Sequence, residues 1–231
     1  RNEIEKAIEK YLQCLEINSN YLIALQNFGV CLQTFYFTHK SNIVDKHIIN
    51  LLAQDKILRP VDIINPLIHY LYLNPKFKLI IENADDLNKF SFEKLIDEIL
   101  DIKILTSLLI VTPITDIKIE KIIKYLRKEI LFNISSIKNT KSCFKLMKLI
   151  AKQCYINEYL YPEETNEGKF LKQFEEKILN NFRKKNYNIN NLEISCLAAY
   201  KPLSHYNWSN KIINFNEIAD LVDQQIKEPN I

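Results

Sequence analysis

Glycine is nearly absent: Gly29 and Gly168 are the only two in 231 residues, and neither stands near another. A loop that cradles phosphate needs several glycines, because only a bare backbone lets its N–H groups close around the anion. Neither a P-loop nor the glycine-rich turn that seats a dinucleotide is encoded. A chain without such a backbone pocket is expected to work by holding surfaces together.

With 47% hydrophobic residues the chain can bury a sizeable core. Its 31 Lys and Arg against 28 Asp and Glu leave +3, and the charges are interspersed, which argues against a nucleic-acid partner. The longest apolar run, 102–114, is broken by Lys103, Thr106, Ser107, Thr112 and Pro113. It falls short of the ~18–20 residues of a membrane span, so a soluble, cytoplasmic protein is expected. Five scattered cysteines, Cys14, Cys31, Cys143, Cys154 and Cys196, form no C-x-x-C pair. They are expected as buried free thiols, not as a zinc or redox site.

The periodicity is helical throughout, which points to an all-α protein. Residues 1–16 place Ile4, Ala7, Ile8, Tyr11, Leu12 and Leu15 on one face, Asn18, Ser19 and Asn20 break the chain, and a second helix is expected over 21–37. Ala7 and Cys14 are small, Tyr11 between them is large, and Leu25, Phe28, Gly29 and Leu32 follow at matching intervals. This pattern resembles the tetratricopeptide repeat in its 34-residue register. In such a repeat small residues let helices approach while Tyr11 and Phe28 fill the gaps. The pattern fades after Ser41, and fewer than ~3 repeats seldom stand alone. Residues 1–38 are therefore expected to be the end of a repeat array truncated at its N-terminus. Residues 39–231 are expected as an irregular multi-helix bundle.

Prolines punctuate the segment 41–83. Ser41 can cap a helix to Leu52, and Asn65-Pro66 and Asn74-Pro75 each read as a cap with proline at the first helical position. Tyr70, Tyr72 and Phe77 read as a core cluster, and His69 as a hydrogen-bonded core residue. Ser91 opens a helix with Leu95, Ile96, Ile99 and Leu100 inward, and 102–111 reads as a buried helix. Over 116–132, Ile119, Ile122, Ile123, Leu126, Ile130 and Leu131 point inward and the lysines outward. Further helices are expected over 140–157, from the acidic 163–167 to the basic 183–185, over 192–200 and over 215–227, the last stopping at Glu228-Pro229. His205, Tyr206 and Trp208 fall in a loop.

The stretch 151–161, A-K-Q-C-Y-I-N-E-Y-L-Y, concentrates aromatics, a thiol, amides and a carboxylate. It holds no His and no second Cys in reach, so it names no catalytic, cofactor-binding or metal-ligating residue. Gln153, Asn157 and Glu158 either cap the helix and fix a sharp exit through 159–162, or belong to a docking surface. In the second case Tyr155, Tyr159, Tyr161, Tyr200 and Trp208 join them, since aromatics beside amides are common interface anchors. Glu158 as a general acid would need a second group across a cleft, and the sequence supplies none.

Four stretches also resemble one family. Gln153-Cys-Tyr-Ile-Asn-Glu-Tyr-Leu-Tyr is similar to a Q-C-F-x-N-E-Y-V-Y stretch, and Ala199-Tyr-Lys-Pro-Leu to an A-x-Y-x-P-L segment. Asp223-Gln-Gln-Ile-Lys-Glu-Pro is similar to x-x-Q-x-x-E-P, and 117–131, ending Tyr125-Leu-Arg-Lys-Glu-Ile-Leu, to an E-x-L-L-T-x-L-R-R-x-L-L helix. These belong to bacterial proteins that join tetratricopeptide repeats to a class I S-adenosylmethionine-dependent methyltransferase. The resemblance implies the helical region upstream of the catalytic domain, whose glycine-rich cofactor turn would come after residue 231. The chain itself is then expected to bind no S-adenosylmethionine. It would present a peptide or protein substrate, self-associate, or dock against its own catalytic domain. The alternative is a stand-alone tetratricopeptide scaffold holding a peptide in its groove.

Overall fold

A computed structural model describes residues 2–54, 56–137, 140–187 and 189–227, and among them it holds twelve α-helices and no strand. Helices α1 (Asn2–Ile17) and α2 (Leu22–Leu32) pack as a hairpin, and α3 (Asn42–Leu52) packs on both. Helices α4 (Ile64–Tyr72), α5 (Pro75–Glu82), α6 (Phe92–Asp101) and α7 (Lys103–Leu108) lead to α8 (Ile117–Asn133), α9 (Thr140–Ile156), α10 (Thr165–Arg183), α11 (Asn191–Ala198) and the short α12 (Ala219–Val222). The centre is α11, buried from Leu192 to Ala198 and packed along α9. One apolar cluster runs from Ile8 to Val222 and crosses residue 38, where α3 meets α1 and α2.

Helix starts follow their capping chemistry where a side chain can reach. Asn74 Oδ1 accepts from the backbone of Lys76 and Phe77 with Pro75 at the first position, and Asp116 Oδ1 does the same for Lys118 and Ile119. Asn65-Pro66 is no such start. There α4 already begins at Ile64, after a 3-10 turn at Pro60–Asp62, because Ile63 and Ile64 turn into the core. Ser41 precedes α3, yet its backbone bonds the Tyr70 hydroxyl.

Several expectations are corrected by packing. The second helix stops at Leu32, short of 37, because Phe35 and Phe37 both turn inward around an exposed Tyr36, a period of two that only extended chain allows. Their rings meet edge-on at 5.0 Å. Of the repeat-like positions, Leu25, Phe28, Gly29 and Leu32 are buried, and a Cβ on Gly29 would lie 3.1 Å from Leu58 and 3.2 Å from Leu51. Ala7 and Tyr11 are half-buried, but Cys14 is exposed and admits no neighbouring helix. His69 is also exposed, edge-on to Tyr36. The buried histidine is His47, whose Nε2 lies 2.7 Å from Glu16 Oε1 while its Nδ1 has no partner. Tyr70 packs on Phe37 and Tyr72 on Phe77, so the expected aromatic cluster is two separate pairs. The stretch 102–111 yields only the six-residue α7. In place of a helix over 215–227 come a 3-10 turn at Asn216–Ile218, α12 and a π turn at Asp223–Lys227. Glu228 and Pro229 lie outside the described residues. Among the described residues no helix is long and apolar enough to cross a membrane.

The thiols divide by burial. Cys14 is exposed and Cys31 half-buried, against the expectation that all are buried, while Cys143, Cys154 and Cys196 are enclosed. Burial pushes Cys143 and Cys154 up to about 11, in Cys154 against the opposing pull of Arg127. Burial raises Cys196 further still. Thiolate is the reactive form. At pH 8 a thiol reagent is expected to label Cys14 quickly, Cys31 slowly, and the other three only on unfolding. Fast labelling of Cys143, Cys154 or Cys196 in the folded chain, read by mass spectrometry, would contradict this burial. A folded pKa raised above the unfolded one stabilises fully below the unfolded value and is lost as pH rises, so these two thiols erode stability between about pH 9 and about 11.

Candidate functional site

The backbone's most unusual geometry lies where α9 ends. Glu158 and Tyr159 both sit in the left-handed region, at φ 56° and 58°, although neither is glycine or asparagine. Such a conformation costs a bulky residue roughly 1–3 kcal/mol, so the surroundings must enforce it. Tyr159 N donates to Cys154 O at 2.7 Å, closing the helix end, and the Tyr159 hydroxyl donates to Ala198 O at 3.1 Å on α11. The Asn157 amide nitrogen faces the carbonyls of Gln153 (3.2 Å) and Cys154 (2.7 Å), and its oxygen accepts from the Tyr161 hydroxyl at 3.2 Å.

Beneath the turn lies a buried charge pair. Arg127, at 1% exposure on the inner face of α8, donates to Tyr161 O (3.3 Å) and Pro162 O (3.1 Å) and sits over the Tyr200 ring, 3.9 Å from its centre. Its guanidinium is 3.8 Å from Glu167, itself at 2% exposure. Glu167 accepts from the Tyr200 hydroxyl at 2.5 Å and from Glu164 N at 2.7 Å, the return half of a capping box on α10. Burial pushes the Tyr200 phenol far above its ordinary range; the Arg127 charge pulls it down, but the Glu167 carboxylate adds to the rise. Tyr200 therefore stays a donor.

Gln153 lies on α9, one turn before Asn157. Fully buried, it faces the 109–114 segment, with its nitrogen toward Leu109 O (3.0 Å) and Thr112 O (3.1 Å) and its oxygen toward Ile114 N (3.1 Å). The polar groups of the central stretch are thus spent on fixing one loop and one turn. Of the cap expected of Gln153, Asn157 and Glu158, the Asn157 side chain alone bonds the end of α9, while Gln153 bonds the 109–114 segment and Glu158 is exposed.

The eight residues expected to share a docking surface do not form one. Gln153, Tyr155, Asn157, Tyr161 and Trp208 are buried, and Tyr159 and Tyr200 are half-buried with their hydroxyls bonded inward. Trp208 is core, stacked on Tyr206 at 4.8 Å. Only Glu158 is exposed. Beside it stands Leu160, which sequence reasoning passed over and which is 76% exposed at the tip of the turn. A groove of about 400 Å³ runs beside them, lined by Pro113, Ile114, Thr115, Glu120, Ile156, Asn157, Glu158, Leu160 and Tyr161. Glu120 and Glu158 make it acidic. A wider recess of about 690 Å³ opens near Thr140 and Phe215, but there Asn190 caps α11 and Asn191 donates to Glu217.

Arg127 and Glu167 were also missed, and their spacing signals them. Arg127 is four residues from Ile123 and three from Ile130, and Glu167 four from Leu171, so each lies on its helix's apolar face. In a chain with 27 lysines and 4 arginines, an arginine there marks a planar, stacked contact. Among the described residues no group of three or more His, Cys, Asp or Glu could hold a metal ion. No protein-family model, no curated protein and no solved structure matches the chain.

Proposed function

We propose that this chain is a non-catalytic helical interaction region of a tetratricopeptide-repeat, S-adenosylmethionine-dependent methyltransferase, and that the turn after α9 docks a basic protein surface, first of all its own catalytic domain. The observation that carries the docking role is Leu160, held out at 76% exposure between an acidic groove and two left-handed residues clamped from below. An apolar tip that is rigid before binding loses little entropy on docking. The family reading is supported by how its four stretches meet. Arg127 joins the 125–131 stretch to Tyr161 and Tyr200. Gln225 accepts from Leu203 N (3.1 Å) and donates to Ala151 O (3.4 Å) and Ala198 O (3.3 Å).

Calorimetry tests it. A longer product of the same gene is expected to bind S-adenosylmethionine and the 231-residue chain is not. Micromolar binding by the chain alone overturns the reading. Leu160→Lys, with an unchanged melting curve, is expected to weaken association with the catalytic domain about tenfold, the scale of a central apolar anchor. Should the gene encode no glycine-rich strand–turn–helix within about a hundred residues downstream, the stand-alone tetratricopeptide scaffold takes its place.

A further inference from the structure

The outer face of α2 carries no charge. The helix, L-I-A-L-Q-N-F-G-V-C-L, has no Asp, Glu, Lys or Arg anywhere, in a chain that is 26% charged. Ala24, Leu25, Phe28, Gly29 and Leu32 face the core, which leaves Leu22, Ile23, Gln26, Asn27 and Val30 on the opposite arc. Ile23 is 60% and Leu22 58% exposed, and Ile17, at the end of α1, is 89% exposed. Tyr21 and Val30 extend the strip to both sides. An uncharged outer face this rich in exposed apolar side chains marks a surface that another chain covers.

We propose that this face is the contact of a twofold homodimer of the chain. Two properties select a second copy over another occupant. A twofold contact sets a patch against itself, so any charge near the axis meets its own like. On the α2 arc the polar groups are amides, Gln26 and Asn27, which donate and accept equally and can pair with their own copies, and Lys56 lies in the recess beside the arc. The exposure also fits. Ile17, Tyr21, Leu22, Ile23 and Val30 are each between 45% and 89% exposed, and exposed apolar patches of this kind mark interaction sites. A recess of about 520 Å³ beside it, lined by Leu22, Gln26, Ala53, Gln54, Lys56 and Ile57, offers room for the partner's apolar side chains.

Sedimentation equilibrium on the chain, from about 1 to 100 µM, is the test. The wild type is expected to pass from its monomer mass of 27.4 kDa to twice that value. Ile23→Lys with Val30→Lys is expected to stay monomeric, with unchanged helicity and melting. Ile23→Gln, a milder change should the double variant fold poorly, is expected to weaken the dimer about tenfold. Leu160→Lys, on the turn after α9, is expected to dimerise as the wild type does. A wild type that is monomeric throughout, or a dimer that survives the α2 substitutions or is lost with Leu160→Lys, overturns the proposal. None of these outcomes depends on S-adenosylmethionine binding elsewhere in the parent protein.

Discussion

Arg127→Leu is expected to lower the unfolding free energy by about 3–5 kcal/mol, the usual cost of removing one partner from a buried pair. The loss has three parts. Glu167 is left at 2% exposure without its countercharge, the Tyr161 and Pro162 carbonyls lose their donors, and the Tyr200 ring loses its stack. Domains are held by only ~5–15 kcal/mol, and for a chain this long the midpoint is expected to fall by roughly 10 °C. Arg127→Lys is expected to recover less than half, because a point charge cannot cover Tyr200 and reach two carbonyls together. Adding Glu167→Gln to Arg127→Leu is expected to restore part of the loss, since the amide keeps an acceptor for the Tyr200 hydroxyl without burying a lone charge. A loss under about 1 kcal/mol for Arg127→Leu in a urea titration would show that the pair does not anchor the turn.

Which parts of this arrangement were legible depends on what side-chain spacing encodes. Spacing reports which face of a helix is apolar, and it placed Leu95, Ile96, Ile99 and Leu100 and the inner face of α8 correctly. Local capping chemistry was legible too, in Asn74-Pro75, because the bonded partners lie within three residues. What spacing does not report is where a polar tip ends. Tyr159, Tyr161 and Tyr200 look alike whether their hydroxyls meet water or the carbonyl, amide or carboxylate of a distant segment, and here each bonds inside the protein. The eight-residue docking surface dissolved for that reason.

Glycine scarcity hid the turn itself. Neither glycine has a positive φ, since Gly29 lies in α2 and Gly168 in α10. Among the described residues the left-handed positions fall to Glu158, Tyr159 and Lys185, residue types that carry no local preference for that region. Tyr159 N closes the turn locally on Cys154 O, but the bonds from the Tyr159 hydroxyl to Ala198 O and from Arg127 to the Tyr161 and Pro162 carbonyls are long-range, and a pattern read along the chain contains neither. Trp208 escaped for a related reason. It lies between short 3-10 turns, where no helical period marks a face, yet it is enclosed by Tyr206 and Phe182.

Gln153→Leu is the second substitution expected to cost most, about 3–4 kcal/mol. The leucine fills similar volume, so the penalty is not a cavity. It is the desolvation of Leu109 O, Thr112 O and Ile114 N, each left without the partner that Gln153 supplies, at ~1–3 kcal/mol per group with partial relaxation. Hydrogen exchange separates this from a general loss of packing: the Ile114 amide is expected to exchange faster by orders of magnitude while the amides of α11 follow global stability. Gln153→Glu supplies a sign test. A carboxylate can accept from Ile114 N but faces two carbonyls in a dry site, so its folded pKa is raised above the ordinary carboxylate value of ~4.3. The stability of that variant is therefore retained below about pH 4 and lost as pH rises toward neutrality, the reverse of a paired surface carboxylate. A Gln153→Glu variant that is steadier at pH 7 than at pH 4, relative to the wild type, would place the Gln153 amide in contact with water instead of the 109–114 segment.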